Sequence, residues 1–181
     1  PLISYHFEAL ARAGIKQVVV NVSWLGDKIE AAMGSGSQFG LEIIYSREAE
    51  ALETAGGIVH ALAQLDDQFI VVNGDIFTDY PFEKLRSKKA VAHLVMVKNP
   101  PHNLKGDFAL NDGYVNNRSD DRHTFAGISC FHKSFFENLL HGKQALAPLL
   151  RKAMEDNQVT GEVFEGEWTD VGTFARWESI A

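Results

Sequence analysis

A doubly wound α/β fold built on a mostly parallel sheet is what this sequence predicts, on three observations. Short apolar runs recur along the chain, and segments of helical period alternate with them, the rhythm of parallel βαβ units. The clearest run, Phe69-Ile70-Val71-Val72-Asn73-Gly74-Asp75, is continuous rather than alternating and stops at a carboxylate. A strand buried on both faces reads this way, and ligands of open parallel sheets sit beyond the carboxyl ends of the strands. With 181 residues, 45% of them hydrophobic, and no break in composition, the chain is expected to form a single domain over residues 1–181.

Ile3, Phe7, Leu10 and Ala11 fall at helical spacing, and Gly14 follows as a C-terminal stop. Residues 16–22 (KQVVVNV) read as a strand, 27–33 as a short helix closed by Gly34-Ser35-Gly36-Ser37, and 41–45 as the next strand. Thr54 is placed to cap a helix through Ile58, Leu62 and Leu65, which leads into the Phe69 strand. A short helix at 82–87 precedes a buried strand at 91–97. The segment 99–121 changes character: Pro100-Pro101, Asp112-Gly113 and the short pieces 107–110 and 113–115 predict a small antiparallel excursion. Residues 124–131 return as strand, helices are expected at 134–140 and 145–155, an edge strand at 162–164 and a closing helix at 174–180.

Composition narrows the partners. Seventeen Lys and Arg against 24 Asp and Glu leave a formal charge of -7, and the basic residues are scattered, which argues against duplex nucleic acid. Cys130 is the single cysteine and lies in a buried-strand pattern, so no disulfide framework exists. No apolar stretch approaches the roughly 20 residues of a membrane span, and no leader pattern opens the chain. A cytoplasmic protein with no membrane partner is expected. Pro1 is not an initiator methionine, and Leu2 begins an amphipathic pattern at once, so further residues are expected upstream.

Several motifs could carry chemistry. Asp75 and Asp170, the latter in Trp168-Thr169-Asp170-Val171-Gly172-Thr173, form a pair able to hold one divalent ion over a phosphate. Each has a plainer reading. Asn73-Gly74 is also a hairpin signal, Asp75 could cap a helix, and Gly172 and Thr173 read as a turn and N-cap. Glu53-Thr54-Ala55-Gly56-Gly57 opens a helix whose N-H groups point toward the same end of the sheet, suiting a phosphate or nucleotide; tight packing against the sheet explains the glycines equally. The seven histidines show no zinc spacing, and neither a G-x-G-x-x-G, a P-loop nor a G-x-S-x-G elbow occurs.

Taken in order, Ile15-Lys16-Gln17-Val18-Val19-Val20-Asn21, Leu52-Glu53-Thr54-Ala55-Gly56-Gly57, Val71-Val72-Asn73-Gly74-Asp75 and Trp168-Thr169-Asp170-Val171-Gly172-Thr173 resemble the motifs of sugar-phosphate nucleotidyltransferases. Within that family the chain is similar to the bacterial N-acetylmuramate α-1-phosphate uridylyltransferase group of cell-wall recycling, itself similar to mannose-1-phosphate guanylyltransferases. The resemblance implies a Rossmann-like nucleotide-diphospho-sugar transferase core in which Asp75 and Asp170 hold Mg²⁺ as metal ligands and catalytic residues. It also implies nucleotide contacts at Thr54, Ala55, Gly56, Asn73 and Gly74, and a sugar pocket at Gly106, Asp107 and Gly127. The partners implied are a nucleoside triphosphate, UTP favoured, and a sugar 1-phosphate; a guanylyltransferase and a non-catalytic regulatory protein are the alternatives.

The chain departs from the family pattern in three places. Glu53 stands where Leu-Gly-Thr-Ala-Gly has glycine, no Glu-Lys-Pro occurs between Val115 and Thr124, and the first strand with its glycine-rich phosphate loop and the later Pro-Lys-Pro segment are expected before Pro1. The polypeptide as given is therefore expected to be inactive or nearly so. An exposed sheet edge where the first strand would pair invites self-association.

Overall fold

The computed structural model describes residues 1–173 together with Arg176 and Glu178. Up to Asp170, the chain follows the order α1 (Leu2–Arg12), β1 (Gln17–Val22), α2 (Gly26–Met33), β2 (Glu42–Arg47), α3 (Glu53–Ala61), β3 (Gln68–Val72), β4 (Ile76–Thr78), α4 (Glu83–Arg86), β5 (Ala92–Val97), β6 (Phe108–Asn111), β7 (Tyr114–Asn116), β8 (Arg122–His132), α5 (Leu146–Glu155), β9 (Val159–Phe164) and β10 (Trp168–Asp170). No helix among the described residues is long and apolar enough to cross a membrane.

The central sheet has the order β3-β8-β5-β9-β7-β6. β5 and β9 pair in parallel, and β3 shares their direction because both β3 and β5 run against β8. Sequence periodicity explains why both faces are covered. All six residues of β5 are buried, Leu94 and Met96 in one core with Phe131, Phe136 and Leu150, Val95 and Val97 in the other with Phe82, Leu85 and Ile128. The antiparallel excursion is the hairpin of β6 and β7, turned by Asp112 (φ 50°) and Gly113 (φ 80°). Two successive residues at positive φ match the right-handed strand twist.

Three expected elements differ. β9 is longer than the expected edge strand and lies inside the sheet, between β5 and β7, because its parallel register with β5 begins at Val159. Only a single 3-10 turn, Lys133–Phe135, forms in the stretch expected to be a helix, where Phe135 and Phe136 pack on Phe131 instead. Thr54 does not cap α3, whose N-cap is Leu52 without a side-chain bond. The closing helix lies largely outside the described residues; Arg176 N-H donates to Thr173 Oγ1 at 3.3 Å, so Thr173 serves as the expected N-cap.

β1 and β2 form a separate parallel pair. A cleft of about 510 Å³ separates β1 from β3, lined by Val18 and Asn21 of β1, Ile70 of β3 and Asn73 just past it, with Ile3 and Phe7 of α1. Cys130 accepts from Gln68 at 2.9 Å, and burial pushes its thiol upward, so it is an unreactive core residue.

A polar network crosses the sheet away from this cleft. Tyr80 donates to Glu162 at 2.6 Å, Lys88 pairs with it at 2.9 Å, and buried His93 bonds Thr160 at 2.8 Å. Burial lowers the His93 pKa, helped by Lys88 and opposed by Glu162. His6 of α1, only 6% exposed, is also lowered by burial, with the Ile76 backbone and Asp75 opposing. Below the ordinary value of 6.5 the unfolded chain takes up protons that these buried imidazoles refuse, so stability should be full above pH 6.5 and fall as the pH drops through the lowered folded values. Thermal melts from pH 7.5 to 5 would show it, each kilocalorie costing about 2–4 °C in midpoint. A flat profile across that window would contradict the assignment.

Candidate active site

The site is assembled from strand ends and one irregularity. Opposite β5, the register of β8 jumps from Ile128 to Phe125 between Val95 and Met96, leaving Ala126 and Gly127 as a bulge. Gly127 has φ +72°, a conformation side chains rarely tolerate, and an added Cβ would lie 2.8 Å from Asn73 Nδ2. The bulge turns two carbonyls away from the ladder with β5. Gly127 accepts from Asn73 N-H at 2.8 Å and Ala126 from Trp168 Nε1-H at 2.9 Å. The Asn73-Gly74-Asp75 and Trp168-Thr169-Asp170 segments are thereby fastened to the same point of β8.

These segments also pair with each other. β10 lies antiparallel to β4, with Asp170 opposite Ile76, and Val171 N-H donates to the Asp75 carbonyl at 2.6 Å. The two aspartates thus stand at neighbouring positions just past the carboxyl end of β3. Asp79 locks the far end, its carboxylate accepting from Glu167 N-H at 2.7 Å. The Asp75 carboxylate is exposed. Asp170 is more enclosed: its Oδ2 meets Arg176, and His102 Nε2 stands 3.1 Å from Oδ1, a buried atom with no hydrogen bond of good geometry.

Thr54, Asn73 and Gly74 line the cleft with Asn21 and His6. Ala55 and Gly56 sit differently. Their N-H groups, expected to be free, both donate to the Gln144 carbonyl at 3.1 Å, and Gln144 N-H returns a bond to Leu52 at 2.9 Å. A Cβ on Gly56 would lie 2.2 Å from the Gly142 carbonyl, so its lack of a side chain serves packing. Gly106 and Asp107 are structural in the same sense. A Cβ on Gly106 would lie 2.8 Å from the Arg122 backbone, and the Asp107 carboxylate accepts from Asn103 at 3.2 Å and Phe125 N-H at 2.8 Å.

Glu53 carries φ +59°, the left-handed conformation that favours glycine. Such a residue costs about 1–2 kcal/mol. Its contact with Lys143, 3.5 Å long with both side chains largely exposed, returns at most about 1 kcal/mol. Glu53→Gly should leave the fold intact and stabilise it by about 0.5 kcal/mol, after the greater freedom of glycine in the unfolded chain is counted. A melting midpoint lowered by several degrees would contradict this.

Among the described residues no group of three or more His, Cys, Asp or Glu gathers as a metal cage. Two carboxylates, one enclosed and one facing solvent, fit instead an ion that takes one or two protein oxygens and completes its shell with phosphate and water, as Mg²⁺ does. Sequence reasoning missed Arg176, His102, His6 and Gln144. Only Arg176, one helical turn past an N-cap that follows Asp170, left a local trace.

This fold and site define a nucleotidyl transferase. The sequence pattern of that family, "Nucleotidyl transferase", matches residues 1–110, and the chain belongs to it. N-acetylmuramate alpha-1-phosphate uridylyltransferase from Neisseria meningitidis serogroup B is 43% identical over 188 residues, covering 97% of this chain and 81% of that protein. A mannose-1-phosphate guanyltransferase from Gibberella zeae is 29% identical over 95% of this chain, which spans about half (52%) of its length. HddC from Yersinia pseudotuberculosis, solved with GMP-PN, superposes with a TM-score of 0.79 at 18% identity over 99% of this chain and 83% of its own, and shares the fold.

Proposed function

We propose that the protein to which this chain belongs transfers a nucleoside monophosphate from a nucleoside triphosphate to a sugar 1-phosphate and releases pyrophosphate. UTP and N-acetylmuramate α-1-phosphate are the substrates we favour, giving UDP-N-acetylmuramate in peptidoglycan recycling. The observation that supports the reading is the pairing of β4 with β10, in which Asp170 stands opposite Ile76, the residue after Asp75, while Thr54, Asn73 and Gly74 line the neighbouring cleft. The 43% identity to the uridylyltransferase supports the choice of substrates. A nucleoside triphosphate as substrate fits a cytoplasmic enzyme.

Asp75 and Asp170 would hold Mg²⁺, which when bound would supply neutralisation of the phosphate charge. A phosphate oxygen of the sugar phosphate forms the new bond to the α-phosphorus, and the bond to the bridging oxygen breaks as pyrophosphate leaves. That nucleophile is already ionised at neutral pH, so no general base is needed. The chain's part is alignment and charge complementarity. Asn73, held by Gly127, and Thr54 at the start of α3 line the cleft and would orient the nucleotide, with His6 on the same wall.

Self-association, if the cleft-facing edges of β1 and β3 support it, would add a second copy to the partners. The deciding experiment, on the full-length protein, crosses UTP and GTP with N-acetylmuramate 1-phosphate and mannose 1-phosphate, with and without Mg²⁺, and measures pyrophosphate. Turnover should be greatest with UTP and N-acetylmuramate 1-phosphate and should require the metal. Preference for GTP with mannose 1-phosphate would overturn the substrate assignment, and metal-independent turnover the role of the aspartates.

A further inference from the structure

The loop between β5 and β6 is held down more firmly than its few apolar contacts require. Thr124 Oγ1 donates to Asn99 Oδ1 at 2.9 Å, and Asn99 Nδ2 donates to the Arg122 carbonyl at 2.9 Å. Asn103 Nδ2 reaches Thr124 Oγ1 at 3.1 Å and Asp107 Oδ1 at 3.2 Å, while Asp107 Oδ2 accepts from Phe125 N-H. A turn bond from Asn103 N-H to the Pro100 carbonyl, 2.9 Å, closes the tip. Asn99, Asn103 and Asp107 therefore pin the loop to β8 on either side of one residue, His102.

His102 leaves this platform to meet Asp170, Nε2 to Oδ1 at 3.1 Å. That oxygen is buried, and the His102 contact, though at ion-pair distance, is not aligned as a hydrogen bond; an enclosed carboxylate oxygen left unserved costs about 1–3 kcal/mol or more, which favours the imidazole turning to serve it. Oδ2 faces Arg176 instead. The two oxygens of one carboxylate thus have different custodians: a histidine on a pinned loop and an arginine on a long, flexible stem.

We propose that His102 is a positioning residue of the candidate metal site, holding Asp170 by Oδ1 so that Oδ2 is the oxygen a divalent cation takes over from Arg176. The inference rests on the reading that Asp75 and Asp170 hold that cation. Carboxylates that ligate metals are themselves hydrogen-bonded, and losing such a partner costs about 10–100-fold in metal affinity. Arg176 plays the opposite part. Its guanidinium neutralises Asp170 in the absence of metal and must be displaced, so it competes with the ion that His102 assists.

Mn²⁺ titration of residues 1–181, followed by electron paramagnetic resonance, tests this without turnover. His102→Ala should weaken Mn²⁺ binding by about tenfold or more. His102→Gln, whose amide can put an N-H close to the Nε2 position, should restore it to within about threefold, whereas Arg176→Met should tighten it. Because His102 is 41% exposed, neither substitution at that position removes core packing, and unchanged melting curves would confirm this. If His102→Ala bound Mn²⁺ like the parent while Asp170→Asn did not bind, the role of His102 would be overturned and the metal site would stand. If Gln failed as badly as Ala, the donor assignment would be wrong. Absence of saturable binding in the parent, or its persistence in Asp170→Asn, would overturn the metal reading and this inference with it.

Discussion

In the full-length protein, Asp170→Asn is expected to lower kcat/KM for pyrophosphate release by at least about a thousandfold, the equivalent of roughly 4 kcal/mol of lost charge stabilisation. Asparagine keeps the shape and the acceptor oxygen, so β10 should still pair with β4 and Trp168 should still donate to Ala126. The charge alone is removed. Asp75→Asn should act similarly, since its side chain faces solvent and carries little of the fold. The double variant should lose little more than either single one, because two ligands of one ion act as a unit and their losses do not add. Melting curves separate the explanations: a midpoint within a few degrees of the parent places the loss in chemistry. Retention of activity within tenfold in Asp170→Asn would refute the assignment.

Gly127→Val should damage the scaffold around the site, costing about 2–4 kcal/mol. The position has φ +72°, where a β-branched residue is strained by about 1–2 kcal/mol, and its Cβ would press on the Asn73 side chain at 2.8–3.0 Å. At about 2–4 °C per kilocalorie, the melting midpoint should fall by roughly 5–15 °C. Activity should fall beyond what stability explains, because the Gly127 and Ala126 carbonyls anchor both aspartate-bearing segments. Gly127→Ala, with the same φ penalty and a smaller side chain, should lie between the two. Melting unchanged in the valine variant would show that the bulge can relax, and that it is not what aligns Asp75 with Asp170.

The parts of this fold that were legible in the sequence are those encoded locally. β5 announces itself as six successive buried residues, the hairpin of β6 and β7 by Asp112-Gly113, and α1 by apolar residues at helical spacing closed by Gly14. β9 was misplaced at an edge because position within a sheet depends on register with a distant strand, not on its own pattern. The helix expected at 134–140 gave way to a turn because burying Phe135 and Phe136 against Phe131 outweighs local helix propensity. β10 is three residues long, too short for any period to mark it.

The site divides along the same line. Asp75 and Asp170 could be read as a pair from their motifs, since a carboxylate closing an apolar run is a local signal. That α3 has its first N-H groups closed by Gln144, that Asp107 holds a loop and that His102 and Arg176 share one carboxylate are long-range facts. By itself the sequence determined the family and the alternation of helices and strands and marked the two candidate aspartates, because each reading rests on short motifs of neighbouring residues. The tertiary structure alone decided which carbonyls fasten those aspartates and which cations stand beside them, because those partners lie tens of residues apart or sit on a bulge whose register no local pattern specifies.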